Sequence, residues 1–542
     1  MQKVLTAEQM REVDRLTTEK YGIPSILLME NAAQAVASVI TEKLGGSVQD
    51  KSILILCGRG NNGGDGAALA RILWKDGASI SFLVFGRIVD TKGDARINFD
   101  ILRAIDKEVA TSGEVFNKIL VHEDDEDLLP LLERILSSGE AELVIDALFG
   151  TGLTRALSGV YSEITQRLEN HKPKVLSVDL PSGLDANKGN PIGQNVMATS
   201  TVTFTAPKPA NVLAPASSFN GELVVANIGS PKELIDEQSS QLFVTETWDA
   251  QDWLKRSEFS AESYKSKRGH SLIIAGSESY SGAAVLAGDA AMRSGVGLVT
   301  VVTPESSKDS VASRILPEVM VRGVAETETG AISEAAINEI GDLLGKADSV
   351  AIGCGLSRDE STRLFVKKVV EDRQQPTIVD ADALNLLSPF AGFAANGESQ
   401  YPLILTPHEG EFMRLLGTDD KNAINDRVAA VREFATKHHV ILVLKGERVL
   451  IGEPHGKVVV NPTGNSGLGK AGNGDTLTGI LAGFVAQAAA MEIDIFETVV
   501  AAVYVAGMAG DIAEKKYGKR VMTASDVREC LAETFRELGG RD

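Results

Sequence analysis

Residues Gly464 to Gly479 read GNSGLGKAGNGDTLTG and open a long apolar segment. The glycines suit a backbone that wraps phosphate, and Asp475 stands where a helix should begin. A helix N-terminus gathers free N–H groups and a partial positive charge, which favours an anion. The stretch imitates a P-loop, because Gly464, four residues and Gly469-Lys470 fit G-x-x-x-x-G-K. Ala471 then stands where a hydroxyl should ligate magnesium, which argues against a P-loop NTPase. The chemistry falls instead to Gly472-Asn473-Gly474-Asp475, with amides for phosphate and a carboxylate for a proton.

Other chemistry-bearing residues also stand where strand patterns end. SILILC leads into GRGNNGGDG, where Gly58, Gly60 and Gly63 satisfy G-x-G-x-x-G. The next strand pattern ends in Gly86-Arg87 without the acid that would hold a ribose, which disfavours a Rossmann dehydrogenase. Asp146 precedes Gly150-Thr151-Gly152, and Asp179 precedes Pro181-Ser182-Gly183. One such acid is often a helix cap; two, with Asn61-Asn62 on the same sheet edge, point to a site. Farther on, strand ends carry Gly353 and Gly355, Asp380 and Asp382, His408 with Glu409 and Glu411, and Lys445-Gly446. His408 alone could be a satisfied core histidine, and no second histidine or cysteine lies at zinc-ligand spacing.

The elements that must position these residues alternate between short β-branched runs and helical patterns. The runs in the first half are Ser52–Leu56, Ser79–Phe85, Leu143–Ile145, Lys174–Val178, Thr201–Thr205 and Leu223–Ala226. Those in the second are Ser271–Ala275, Leu298–Val302, Ser349–Ile352, Thr377–Val379, Leu403–Thr406, Val440–Leu444 and Lys457–Asn461. This alternation predicts an α/β fold of mostly parallel sheets, with loops at the strands' carboxyl ends carrying function. Ser230 to Lys267 is polar and short of strand signals, which places a boundary near Thr245 between domains 1–235 and 245–542. Asp106 to Asp127 reads as a helix–loop excursion, and Leu477 to Ala513 as two core helices.

With 54 Lys+Arg against 74 Asp+Glu, the 542-residue chain carries a formal charge of −20. That surface repels phosphate backbones, so no nucleic-acid partner is expected. The three cysteines form no C-x-x-C pair, the start has no signal-peptide pattern, and no membrane span is expected. The expectation is a soluble cytoplasmic protein.

GNNGGDG, DALFGTGL and VDLPSGLDAN, in this order, resemble the YjeF N-terminal domain, the NAD(P)H-hydrate epimerase family. The resemblance implies a Rossmann-like αβα domain and a potassium ion held by Asn62, Asp146 and Ser182. It implies substrate contacts at Asn61, Asn62, Gly63, Gly64 and Asp65. Further contacts would come from Gly150, Thr151, Gly152, Leu153, Thr154, Arg155 and Ala156, with Tyr161 and Asp179. Asp179 is the expected acid/base. The same domain also occurs as a non-catalytic interaction module.

SGAAVLAGDAAMRSGVGLVTV, LTPHEGEF, LKG and NPTGNSGLGKAGNGDTLTG resemble the ADP/ATP-dependent NAD(P)H-hydrate dehydratases of the ribokinase-like superfamily, whose hallmark is G-x-G-D at a helix start. The resemblance implies a second three-layer αβα domain. It carries the hydrated-nucleotide contacts to Ala283, Gly355, His408 and Asp475. Adenine-nucleotide contacts fall on Lys445, Gly446, Glu447, Arg448, Val449 and Gly474. The family's usual GPGLG stands here as GCGLS, with Cys354 and Ser357, and Val449 replaces a frequent threonine.

Together the two resemblances imply repair of NADHX and NADPHX, reduced nicotinamide dinucleotides hydrated at C6. The first domain would exchange the C6 epimers. The second would dehydrate one of them with ADP or ATP, magnesium and Asp475 as base. Asp475, beside helix N–H groups, is expected to be ionised near neutral pH. The fused layout suggests ADP, and a homo-oligomer is expected. The alternative is a ribokinase-like small-molecule kinase fused to a non-catalytic binding module.

Overall fold

The computed structural model describes residues 1–112, 118–123, 128–261, 263–392 and 401–539. The chain divides into two compact units: Lys3–Ser240, and Gln241–Asp542 with Met1–Gln2.

In the first unit seven parallel strands follow the order Ile119–Glu123, Ser79–Val84, Ser52–Cys57, Leu143–Ala147, Val175–Val178, Ser200–Phe204, Glu222–Ala226. The central strands are buried on both faces, so they read as unbroken apolar runs such as Ile53–Cys57. Helices Ser25–Lys43, Asn61–Lys75 and Gly93–Ser112 cover one face, and Leu128–Ser138 and Val160–His171 the other. This is the expected αβα sandwich. Ile119–Glu123 corrects the reading of Asp106 to Asp127 as helix and loop. It is an edge strand with only Ile119 buried, so it lacks the apolar signal of its neighbours. Residues 113–117 and 124–127 of that stretch lie outside the described residues.

The second unit holds an eleven-stranded sheet. Its strands run Gln2–Lys3, Leu242–Val244, Val458–Val460, Leu450–Gly452, Ile441–Leu444, Leu403–Leu405, Thr377–Val379, Ser349–Ile352, His270–Ile274, Leu298–Pro304, Met320–Val324. From Leu242–Val244 to Met320–Val324 neighbouring strands pair in parallel, except for the two pairings made by Leu450–Gly452. Leu242–Val244 lies inside the stretch read as lacking strands; three residues among polar neighbours are too few to show a period. The two core helices expected for Leu477 to Ala513 are Asn473–Met491 and Ile495–Tyr517, packed against each other. Ile495–Tyr517 is long and apolar enough to cross a membrane, but 78% of its apolar window is buried inside the protein. Trp253 stacks on Phe484 of the other helix at 4.2 Å.

The G-x-G-x-x-G glycines of the first unit serve close backbone approach. A Cβ on Gly58 would lie 2.1 Å from the Leu148 carbonyl oxygen, and one on Gly63 1.9 Å from that of Gly58. Gly60 faces open space with ordinary φ. Gly63→Ala should therefore destabilise the first unit by at least about 2 kcal/mol, whereas Gly60→Ala should cost under about 0.5 kcal/mol. Urea unfolding of the two variants checks this, and equal costs would contradict it.

Candidate functional sites

Strand order in the first unit reverses between Ser52–Cys57 and Leu143–Ala147, and ligand crevices open at the carboxyl ends of such neighbours. A cavity of about 810 Å³ lies there. Asn61, Asn62, Asp65, Gly150 through Ala156, Tyr161 and Asp179 all line it, as does Arg59. Gly63 and Gly64, expected as substrate contacts, do not. They stand behind the wall, where Gly63 abuts Gly58 and Gly64 abuts Ala95 and Met29. The Tyr161 hydroxyl donates to the Phe85 carbonyl at 2.9 Å, and its ring meets Phe149 edge-on.

Asp179 follows Val175–Val178 with φ +67°, a left-handed conformation that costs a β-carbon residue energy and concentrates at functional positions. Its Oδ1 accepts from Lys208 Nζ at 2.6 Å and from Thr203 Oγ1 at 3.0 Å. Its Oδ2 lies against Gly150. Lys208 and Asp14 also line the cavity, and the sequence reading passed over both. Burial, reinforced by Asp179 and opposed by Lys208, pushes the Asp14 carboxyl up to about 6. Burial also drives Asp65 well above the usual carboxylate range, with Asp179 and Asp14 adding to it.

Asp146 is fully buried, and that burial raises its pKa against the pull of its donors. Ser182 Oγ donates to Asp146 Oδ1 at 2.6 Å, while Ser182 N–H and Ser177 Oγ donate to Oδ2 at 2.8 Å. Ser182 Oγ also accepts from the Phe149 N–H at 2.9 Å. Asn62 lies against the adjacent Gly150, with its buried Nδ2 lacking a partner among the described residues.

In the second unit the strand order reverses between His270–Ile274 and Ser349–Ile352. The Asn473–Met491 helix begins after Gly472 in left-handed conformation, and Asp475 is its third residue. The N–H groups of Gly474 and Asp475 find no acceptor among the described residues. Burial, with Asp380 adding, pushes Asp475 up to about 6 against a hydrogen bond from Cys354 and the charge of Lys445. Asp475 is thus still mostly ionised near pH 7, but desolvation brings its titration far closer to neutrality than a helix start alone suggests.

Around Asp475 the neighbouring strand ends converge. Lys445 Nζ donates to buried Asp380 Oδ1 at 2.7 Å, and Thr478 Oγ1 donates to Oδ2 at 2.7 Å. A Cβ on Gly474 would stand 3.7 Å from both Asp380 Oδ2 and Lys445 Nζ. His408 is half-exposed rather than a core residue; its Nδ1 caps the Glu409–Leu416 helix by accepting from Gly410 N–H at 3.0 Å. Glu411 links it to Lys445 at 3.8 Å. Ala283 and Gly355 touch, since a Cβ on Gly355 would lie 2.9 Å from that of Ala283.

Lys445 through Val449 form the turn between Ile441–Leu444 and Leu450–Gly452. Here Arg427 donates to the Glu447 carbonyl at 3.0 Å, Arg448 donates to that of Pro462, and Val449 packs on the core. Arg427, with a buried Nη2 lacking a hydrogen-bond partner among the described residues, was not expected at the site, and Asp380 was noted at its strand end without a role. Asp380's strand-end position was a visible signal; Arg427 had none. Lys470, which completes the P-loop pattern, instead donates to the carbonyls of Arg520 at 2.6 Å and Met522 at 2.9 Å.

A family model described as YjeF-related protein N-terminus matches residues 25–210, and one described as NAD(P)H-hydrate dehydratase matches residues 271–533. A bifunctional NAD(P)H-hydrate repair enzyme of Moorella thermoacetica is 38% identical over 99% of this chain and 97% of its own. Its counterpart from Thermofilum pendens is 33% identical over 99% of this chain and 97% of its own. Among solved structures, the ADP/ATP-dependent NAD(P)H-hydrate dehydratase from Bacillus subtilis, co-crystallised with ATP/Mg2+, is similar at 29% identity and TM-score 0.46, covering 55% of this chain and 98% of that one.

The raised Asp475 carboxyl has a consequence for stability. Its proton is bound more tightly in the fold than in the open chain, so its stabilising contribution is full below about 3.8 and lost as pH rises through about 6. Asp475→Asn should therefore melt above the parent protein at pH 7.5, with the gap closing as pH falls toward 4. Melting curves of both proteins across that range check it; a variant less stable at pH 7.5 would contradict it.

Proposed function

The chain belongs to the family of bifunctional NAD(P)H-hydrate repair enzymes, and we propose that its two sites divide the work by epimer. The first unit exchanges the R and S forms of NADHX and NADPHX, with Asp179 as acid/base. The second dehydrates the S form at the expense of ADP or ATP. The observation that carries the second assignment is Asp475 on the first turn of a helix whose Gly474 and Asp475 N–H groups find no acceptor among the described residues.

In the second site Asp475 takes the proton of the C6 hydroxyl, and that oxygen bonds to the terminal phosphorus of the nucleotide as the bridging P–O bond breaks and AMP (from ADP) or ADP (from ATP) leaves. The N–H groups of Gly474 and Asp475 and the helix dipole stabilise the transferring phosphoryl group. The pre-existing C6–O bond then breaks, pushed by the ring nitrogen, so that inorganic phosphate leaves with that oxygen, and loss of the C5 proton to solvent restores the reduced nicotinamide. Ala283, Gly355 and His408 are assigned to the hydrated nucleotide, and Lys445 through Val449 with Gly474 to the adenine nucleotide. The described residues contain no cluster of three or more His, Cys, Asp or Glu side chains able to hold a metal. Magnesium is proposed as a companion of the nucleotide's phosphates, the commonest way this ion is held.

Potassium is proposed for the first site, at Asn62, Asp146 and Ser182. The donors fit, being oxygens that carry a single negative charge. When bound, the ion would supply positive charge to buried Asp146.

Incubating each purified hydrate epimer with ADP or ATP, while following nicotinamide absorbance and free phosphate, tests both assignments. Asp475→Asn should slow dehydration by about 10²–10⁴-fold and leave epimer exchange intact; Asp179→Asn should do the reverse. Equal loss of both activities would overturn the two-site reading, and a stable phosphorylated product would favour a kinase.

Because the base form of Asp475 is required, dehydration should fall about tenfold per unit below pH 6 and level off above 7. A rate independent of pH between 5 and 7 would remove Asp475 from the base role.

A further inference from the structure

Lys208 is a charged side chain only 2% exposed, in a unit where methionine would fill the same space without a desolvation cost. All three ammonium hydrogens are committed: to Asp179 Oδ1 at 2.6 Å, Thr203 Oγ1 at 2.8 Å and the Phe204 carbonyl at 3.1 Å. A saturated ammonium has no hydrogen left for a substrate.

Its backbone is equally fixed. Lys208 N–H donates to Asn211 Oδ1 at 2.8 Å, and Asn211 Nδ2 donates to buried Asn220 Oδ1 at 3.0 Å. Thr203 Oγ1 lies 3.0 Å from the same Asp179 Oδ1. The two oxygens of Asp179 are therefore unlike. Oδ1 is held by an ammonium and a hydroxyl, while Oδ2 lies beside Gly150 in the cavity wall and receives no hydrogen bond from the described residues.

We propose that Lys208 is a positioning residue of epimer exchange: it pins Oδ1 and leaves Oδ2 as the one oxygen that meets the substrate. The proposal rests on the assignment of Asp179 as the acid/base. It gives the left-handed backbone at Asp179 a purpose, because that turn brings the carboxylate onto a lysine delivered by the next loop.

The test uses the full chain and purified R and S epimers of NADHX. Lys208→Met should lower kcat for epimer exchange by at least about 100-fold, with KM within about threefold, since no substrate contact is lost. Lys208→Arg, which keeps a buried cation, should recover at least about tenfold of that loss. Dehydration of the directly usable epimer should be unchanged in both.

If Lys208→Met keeps its kcat while Asp179→Asn loses it, the proposal fails and the assignment of Asp179 stands. If Asp179→Asn also keeps its kcat, the assignment itself fails. Should Lys208→Met not fold, Thr203→Val decides: a loss of about tenfold in kcat without a change in KM supports the arrangement, and an unchanged kcat overturns it.

Discussion

Each site depends on a lysine ammonium held against an aspartate at the carboxyl edge of a parallel sheet. Lys208 meets Asp179 in one unit, and Lys445 meets Asp380 in the other. Buried charge is tolerable only when paired and hydrogen-bonded, and both pairs have additional partners in threonine hydroxyls. The two pairs differ in what they leave over. In the first unit the paired aspartate is itself the group assigned to proton transfer. In the second the pair satisfies its neighbour, and Asp475 stands beside it without a lysine of its own. Burial, with Asp380 adding to it and Lys445 only partly offsetting it, leaves Asp475 poised near 6.

The central strands were legible because burial on both faces makes them apolar throughout, as in Ser52–Cys57 and Ser349–Ile352. The edge strands were not. Ile119–Glu123 buries one residue, and Leu242–Val244 is too short for a period. Site residues at strand ends were legible for the same topological reason, since an acid after an apolar run has few other places to be. Lys208 escaped because it follows its strand by a short loop, in APKPAN, with nothing to mark it as buried. Asp14 sits in a helix whose charged pattern reads as solvated surface. The upward shift of Asp475 was not legible, because sequence shows the helix start but not the burial around it.

Two departures from the resembled family pattern also acquire physical content. Cys354 replaces a proline and is buried, with its thiol hydrogen-bonded to Asp475 and its own ionisation suppressed by that burial. It therefore acts as a donor and a packing group, and it has no thiolate with which to attack. Ser357 stands where glycine is usual and keeps the left-handed backbone, with φ +71°. Its N–H is satisfied by Asp382 at 3.1 Å, which holds the loop in that conformation.

Lys470 leads to a different kind of consequence. Its ammonium is held by two neutral carbonyls and forms no ion pair among the described residues. Its charge therefore remains uncancelled, a few residues ahead of the helix that carries Asp475. A chain of net charge −20 must admit polyanions to that helix, and a tethered cation there shapes the long-range field they meet. Capture of the nucleotide then becomes a matter of encounter rate, sensitive to ionic strength, in addition to whatever contacts hold it once it has arrived.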